Sequence, residues 1–287
     1  MMKQRIIYIS AALFAMLFLT PQVQVSAESY YFGHNNWEWM WDKMYKDGYG
    51  GFSGSGTKND PYIIPDAYRL AKLAYEVNVR HNTFKGKYFK LSNNINLQEA
   101  QVDGYPSLWI PIGVNHKYPF DGYFDGNGKT ITGLRIDSEA GIEEHFSWGL
   151  FGACRGGIRN VIIKSANMRL SSRSASIKSL YAGLLCGYLF YDRQEEAYNC
   201  IHGAVYGCTV DGTITGNMTD DIGDRGVVGG LVGYANNPVS IYRCQATVTV
   251  RATDMRSIGG IVGFINGYDG NQIEHCKSPS TSYRLAL

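Results

Sequence analysis

The sequence predicts an all-β chain, a β-solenoid with a short N-terminal capping helix, on three observations. A glycine-hydrophobic phrase recurs as GLFGAC (149–154), GLLCGY (183–188), GLVGYA (230–235) and GIVGFI (260–265). Its intervals, roughly 30 to 50 residues, fall in the range that marks solenoids and propellers. Between the phrases, IRNVIIKSANMRL, YGCTVDGTITG and IYRCQATVTV alternate branched or apolar residues with polar ones, as half-buried strands do. Glycine is abundant, 34 of 287 residues, aromatics reach 13% and proline is sparse, a balance suited to short strands and tight turns.

In chain order, residues 1–27 read as a secretory signal. Lys3 and Arg5 precede an apolar run from Ile6 to Leu19, and Val25 and Ala27 form a small-residue cleavage pattern. The run falls short of the roughly 20 residues that span a bilayer. The mature chain is expected to begin at Glu28 and to be exported: secreted, periplasmic or held at the cell surface. No integral membrane segment is expected in it. Residues 28–53 form an aromatic-rich segment, SYYFGHNNWEWMWDKMY, holding Trp37, Trp39 and Trp41. Flat rings in alternate positions suit stacking on sugar rings or anchoring a protein interface, so these three are the candidate ligand-binding residues. Trp37 with Trp41, and Met40 with Met44, also fall one helical turn apart, and a segment packed over the end of the stack is the alternative.

Residues 54–145 are expected to hold the capping helix and the first coils. PDAYRLAKLAYEVN carries Ala67, Leu70, Ala71, Ala74 and Val77 on one helical face, with Pro65 before it and Asp66 placed to cap. Residues 146–287 hold the repeat coils of the same solenoid, each read as two strands, one of them glycine-flanked, separated by turns. YDRQEEAYNCIHGAVYG reads as an insertion loop. Gly229, Gly230, Gly259 and Gly260 permit corners where a Cβ would clash. Stacking aligns Leu231 with Ile261 and Val232 with Val262. Cys208, Cys244 and Cys276 then occupy equivalent places and are expected as small buried side chains, mostly reduced, with one bridge between neighbours left open. A propeller is the rival, but the repeats are short for four strands plus turns. After GIVGFI, IEHCKSPSTSYRLAL begins another coil without a further glycine phrase. Either it folds back with Tyr283, Leu285 and Leu287 over the core, or self-association or a partner covers the open coil.

A formal charge of +2 with scattered basic residues gives no nucleic-acid footprint. His34, His81, His116, His145, His202 and His275 show no paired-ligand spacing and no CxxC is present, so metal and cofactor chemistry have no anchor. DGYFDGNGK resembles a calcium loop through Asp121, Asp125 and Asn127, but Ile136 stands where an EF-hand needs Glu, and an Asn-Gly turn is the better reading. No nucleophile elbow is present. Asp211, Asp220, Asp221 and Asp224 with Arg225 could imitate a polysaccharide-cleaving cluster, yet the later part of DGTITGNMTDDIGDRG reads as a solvated loop.

In order along the chain, GSGTKNDPYIIPDAYRLAKLAYEVN, KGKYFKLSNNINL, WIPIG, PFDGYFDGNGKTITGL and the GGLVG phrase resemble bacterial GLUG-motif proteins, from about Gly54 to Cys276. The resemblance implies a right-handed parallel β-helix, export, and surface or adhesive roles with no defined reaction. Two departures stand out: Cys186 is read at the phrase's second glycine, and Asn94 and Asn96 replace the family's acidic pair. The expected function is therefore a non-catalytic exported binding protein, adhesin-like, with a glycan or a host or bacterial surface protein as partner. A polysaccharide-cleaving β-helix enzyme and a structural module of a larger surface assembly are the alternatives.

Overall fold

A computed structural model describes residues 51–98, 108–138, 145–171, 179–191, 204–217, 226–236, 238–253, 255–267, 270–279 and 282–285. Among these residues the chain forms 22 strands and one short helix, and the strands assemble into four sheets. One seven-stranded sheet runs β1 (Tyr62–Ile64), β2 (Tyr88–Leu91), β4 (Tyr123–Asp125), β9 (Gly157–Arg159), β13 (Ala204–Tyr206), β17 (Ser240–Tyr242) and β21 (Gln272–Glu274). The other contains β3 (Ile95–Asn96), β5 (Thr130–Thr132), β10 (Ile162–Ser171), β14 (Thr209–Asn217), β18 (Gln245–Thr253) and β22 (Ser282–Leu285), with β6 (Arg135–Asp137) also on β10. Two four-stranded sheets complete the set. One holds β7 (His145–Trp148), β11 (Ser179–Gly183), β15 (Gly226–Gly229) and β19 (Ser257–Gly259). The other holds β8 (Phe151–Cys154), β12 (Cys186–Phe190), β16 (Val232–Asn236) and β20 (Val262–Asn266).

Strand neighbours within all four sheets are parallel, so the chain is all-β with parallel sheets. From β9 onward it visits the four sheets in a fixed order. Each repeat therefore carries four strands, where the sequence reading expected two. Corner-to-corner strands need only three to five residues here, too few for a period-2 pattern to separate each from the next turn.

In-register pairing lays like on like. Phe89, Phe124, Ile158, Val205 and Ile241 form one buried column, and Ile95, Ile131, Ile163, Val210 and Ala246 another. Val232 pairs with Val262, and the Leu231 N–H donates to the Ile261 carbonyl, as the sequence reading expected. In the seven-stranded sheets the Cβ alternation of a strand leaves every second residue outside the core, whereas β8 and β15 of the four-stranded sheets are buried along their whole length.

Helix α1 (Ala67–Asn78) follows β1, an edge strand. Asp66 caps it, its side chain accepting from the Arg69 N–H at 2.7 Å. Ala67, Leu70, Ala71, Ala74 and Val77 are buried, as the helical spacing predicts, together with Leu73. At its C-terminal end, Asn78 fixes the WIPIG turn. Its amide donates to the Pro111 carbonyl at 2.9 Å and its Oδ1 accepts from the Gly113 and Val114 N–H groups. Asn78→Ala should lower stability by about 2 kcal/mol, because part-buried backbone groups lose their partners. Chemical denaturation checks this, and a midpoint unchanged from the parent would remove the clamp from the account.

The DGNGK segment is a turn. Asn127 and Gly128 have φ of 52° and 67°, the Lys129 N–H donates to the Gly126 carbonyl, and Asp125 Oδ1 accepts from the Asn127 N–H. Asn94 and Asn96 also serve the backbone, accepting from the Thr130 and Gln98 N–H groups. Ser282–Leu285 forms one more strand, which extends the second seven-stranded sheet in register with Val250–Thr253.

The register also corrects the reading of the second phrase. Cys186 pairs with Phe151 on one side and Val232 on the other, so it fills an apolar place in the phrase, and the second glycine is Gly187. Leu184 is then the residue that replaces a phrase glycine. Two overlapping ways of aligning GLLCG exist in one dimension, and only the strand pairing selects between them.

Candidate functional site

The glycine phrases set the spacing of the two four-stranded sheets. A Cβ added to Gly233 would lie 2.5 Å from the Ala182 nitrogen and 2.6 Å from the Gly187 carbonyl oxygen; one on Gly187 would lie 2.8 Å from the Tyr181 carbonyl oxygen. Strands β11 and β15 pack directly on β12 and β16 at these points. No side chain fits between backbones that close, which is why the phrase requires glycine.

The residue after the second glycine is aromatic in three of the phrases. Tyr188, Tyr234 and Phe264 pair in register across β12, β16 and β20, and each is partly exposed. Ring centroids lie 5.4 Å apart for Tyr188 and Tyr234, and 5.5 Å apart for Tyr234 and Phe264. Tyr181 of β11 joins this ladder, 4.6 Å from Tyr234 and 5.4 Å from Tyr188, and Phe190 stacks on Tyr188 at 4.7 Å.

Polar groups border the rings. The Arg256 guanidinium lies over the Phe264 ring at 4.7 Å. Asn236 donates to the Tyr188 hydroxyl at 3.1 Å, and Asn266 donates to Asn236 Oδ1 at 3.3 Å. Burial pushes the Tyr188 and Tyr234 hydroxyls above the usual phenol range, so both stay protonated at neutral pH and keep a hydrogen to donate. A partly exposed aromatic surface edged by amides, phenols and one guanidinium suits a ligand with an apolar face and many hydroxyls.

Another aromatic pair, the exposed Tyr206 and the partly exposed Tyr242, lies on the first seven-stranded sheet, with Arg243 donating to the Tyr206 hydroxyl and stacking on Tyr242. Trp37, Trp39 and Trp41 lie outside the described residues, as do Asp220, Asp221, Asp224 and Arg225. Asp211 accepts from the Ser165 N–H at the register shift of β10, a backbone task. Among the described residues no group of three or more His, Cys, Asp and Glu is arranged to hold a metal ion. No described helix is long and apolar enough to cross a membrane.

No protein-family model matches the chain. A protein of Evansella cellulosilytica, provisionally named a Gly-rich membrane protein, is 33% identical over 129 residues. The match covers 44% of this chain and 14% of that protein's length. A crystal structure of a protein from Bacteroides ovatus, provisionally named an immunoglobulin A1 protease, matches at a TM-score of 0.47 and 17% identity. That likeness spans 80% of this chain and 69% of the other.

Proposed function

We propose that the chain is an exported right-handed parallel β-solenoid of the GLUG-motif type, binding an extracellular glycan without cleaving it. The ladder of Tyr181, Tyr188, Tyr234 and Phe264 with Arg256 is the observation that carries this reading. The fixed order in which the chain revisits four parallel sheets supports the solenoid, and the near-universal hand of parallel crossovers supports right-handed coiling. Parallel pairing gives the ladder a rung spacing of about 4.8 Å, a rigid frame along which an extended oligosaccharide can lie.

The test is a panel of soluble plant, bacterial and host glycans offered to the mature chain, with product analysis on the same samples. Tyr188→Ala and Tyr234→Ala should each weaken binding about tenfold, the loss of one ring contact. Tyr206→Ala, on a different sheet, should leave it unchanged. Glycan shortened during incubation, or binding lost in Trp39→Ala but retained in Tyr234→Ala, would overturn the ladder as a non-catalytic site.

A second reading, a structural module of a larger surface assembly, draws support from the Evansella relative, of which this chain matches 14%. Retention of no glycan in the panel would favour it.

A further inference from the structure

The turn from the first seven-stranded sheet to the second repeats one local geometry. Asn160, Gly207, Arg243 and His275 all have positive φ, between 52° and 62°, and the next residue turns inward: Val161, Cys208, Cys244 and Cys276. The three cysteines therefore stack on successive turns, two residues beyond the in-register set Tyr206, Tyr242 and Glu274. Each thiol donates to the carbonyl two residues earlier, at 3.5, 3.3 and 3.4 Å, so their side chains are oriented alike. The register places Cys244 between Cys208 and Cys276 in this column.

Accessibility is graded along this column. Cys208 and Cys244 are buried, while Cys276 is partly exposed, and all three are free thiols. In-register positions on parallel neighbours lie about 4.8 Å apart, inside the Cα range of roughly 4.4–6.8 Å that a disulfide accepts.

We propose that Cys244 and Cys276 form an oxidisable dithiol that reacts with low-molecular-weight disulfides, Cys276 receiving the reagent and Cys244 resolving it. The Cys276 thiolate attacks one sulfur of the reagent, forming a mixed disulfide and releasing one thiol. The Cys244 thiolate then attacks Cys276 Sγ, forming the Cys244–Cys276 bond and releasing the second thiol. Two protein thiols are oxidised as one small disulfide is reduced to two thiols, and the protein's two protons pass to solvent and the leaving thiolates. Exposure assigns the roles: Cys276 is the partly exposed thiol that a small reagent can reach, and Cys244 is the buried neighbour next to it in the column. The bond would fasten the turn carrying β21 to the one before it.

Oxidised glutathione at mildly alkaline pH is the probe, applied to the full chain in a Cys200→Ser background. Thiol titration should fall by two, and a non-reduced tryptic digest should contain the Cys244 and Cys276 peptides linked. Cys208→Ser should preserve the link and Cys276→Ser abolish it. Cys244→Ser should accumulate glutathione on Cys276 as a lasting mixed disulfide, a readout that does not depend on forming the bond. An unchanged thiol count, a link between Cys208 and Cys244, or a lasting glutathione adduct on Cys276 in the parent would overturn the proposal.

Discussion

Gly233→Ala should destabilise the protein by about 3 kcal/mol, the upper part of the range for forcing extra volume into a packed site. The obstacles are backbone atoms, the Ala182 nitrogen and the Gly187 carbonyl, which cannot rotate away as a side chain would. Relief requires the two four-stranded sheets to separate, which would also loosen the ladder formed by Tyr181, Tyr188 and Tyr234. A control distinguishes crowding from backbone strain. Gly128 has φ of 67°, but a Cβ there would meet nothing within 4 Å, so Gly128→Ala should cost only about 1 kcal/mol. Thermal unfolding should show a fall of roughly 10 °C for Gly233→Ala. Equal losses for the two variants would mean that the phrase glycines are needed for their dihedrals and not for close approach.

Arg155→Met is expected to have an effect of similar size for an electrostatic reason. Asp121 is fully buried, and Arg155 Nη2 meets its Oδ2 at 2.6 Å, joining the segments that lead into the paired strands β4 and β9. Removing the guanidinium leaves a carboxylate away from water without its charge partner, a loss of about 3 kcal/mol. Asp121→Asn combined with Arg155→Met should recover part of that loss, because the residual group is neutral. The ion pairs Arg159–Asp125 and Arg169–Asp137 also join neighbouring strands, but their arginine side chains are mostly exposed. Each should contribute less than about 1 kcal/mol. Urea denaturation of the single and double variants makes the comparison. Additive losses would show that the two groups do not act together.

The parts of the fold that depend on local rules were legible in the sequence. Helix α1 follows from Asp66 and the spacing of Leu70, Ala74 and Val77, and the turn at Asn127–Gly128 follows from its two residues. Column partners such as Val232 and Val262 followed from the repeated phrase. The strand count per repeat was not legible, because strands such as β9 and β13 span three residues and differ little from the turns beside them. The aromatic ladder was missed for another reason. Trp37, Trp39 and Trp41 make a dense aromatic signal in one short segment, while the signal for Tyr188, Tyr234 and Phe264 lies in a single position after each second glycine. That position becomes a surface only when the rungs are brought into register. Tyr181 had no sequence signal at all, since the approach of β11 to β16 depends on the missing side chains of Gly187 and Gly233.

Amide hydrogen exchange, with and without an oligosaccharide retained in the glycan panel, tests the central claim most directly. Ligand bound along the ladder should slow exchange in peptides covering β12, β16 and β20, with the largest change around Tyr188 and Tyr234, and leave β14 and β18 as in the free protein. Slowing confined to residues 28–53 or to β14 and β18, with β12, β16 and β20 unchanged, would contradict it.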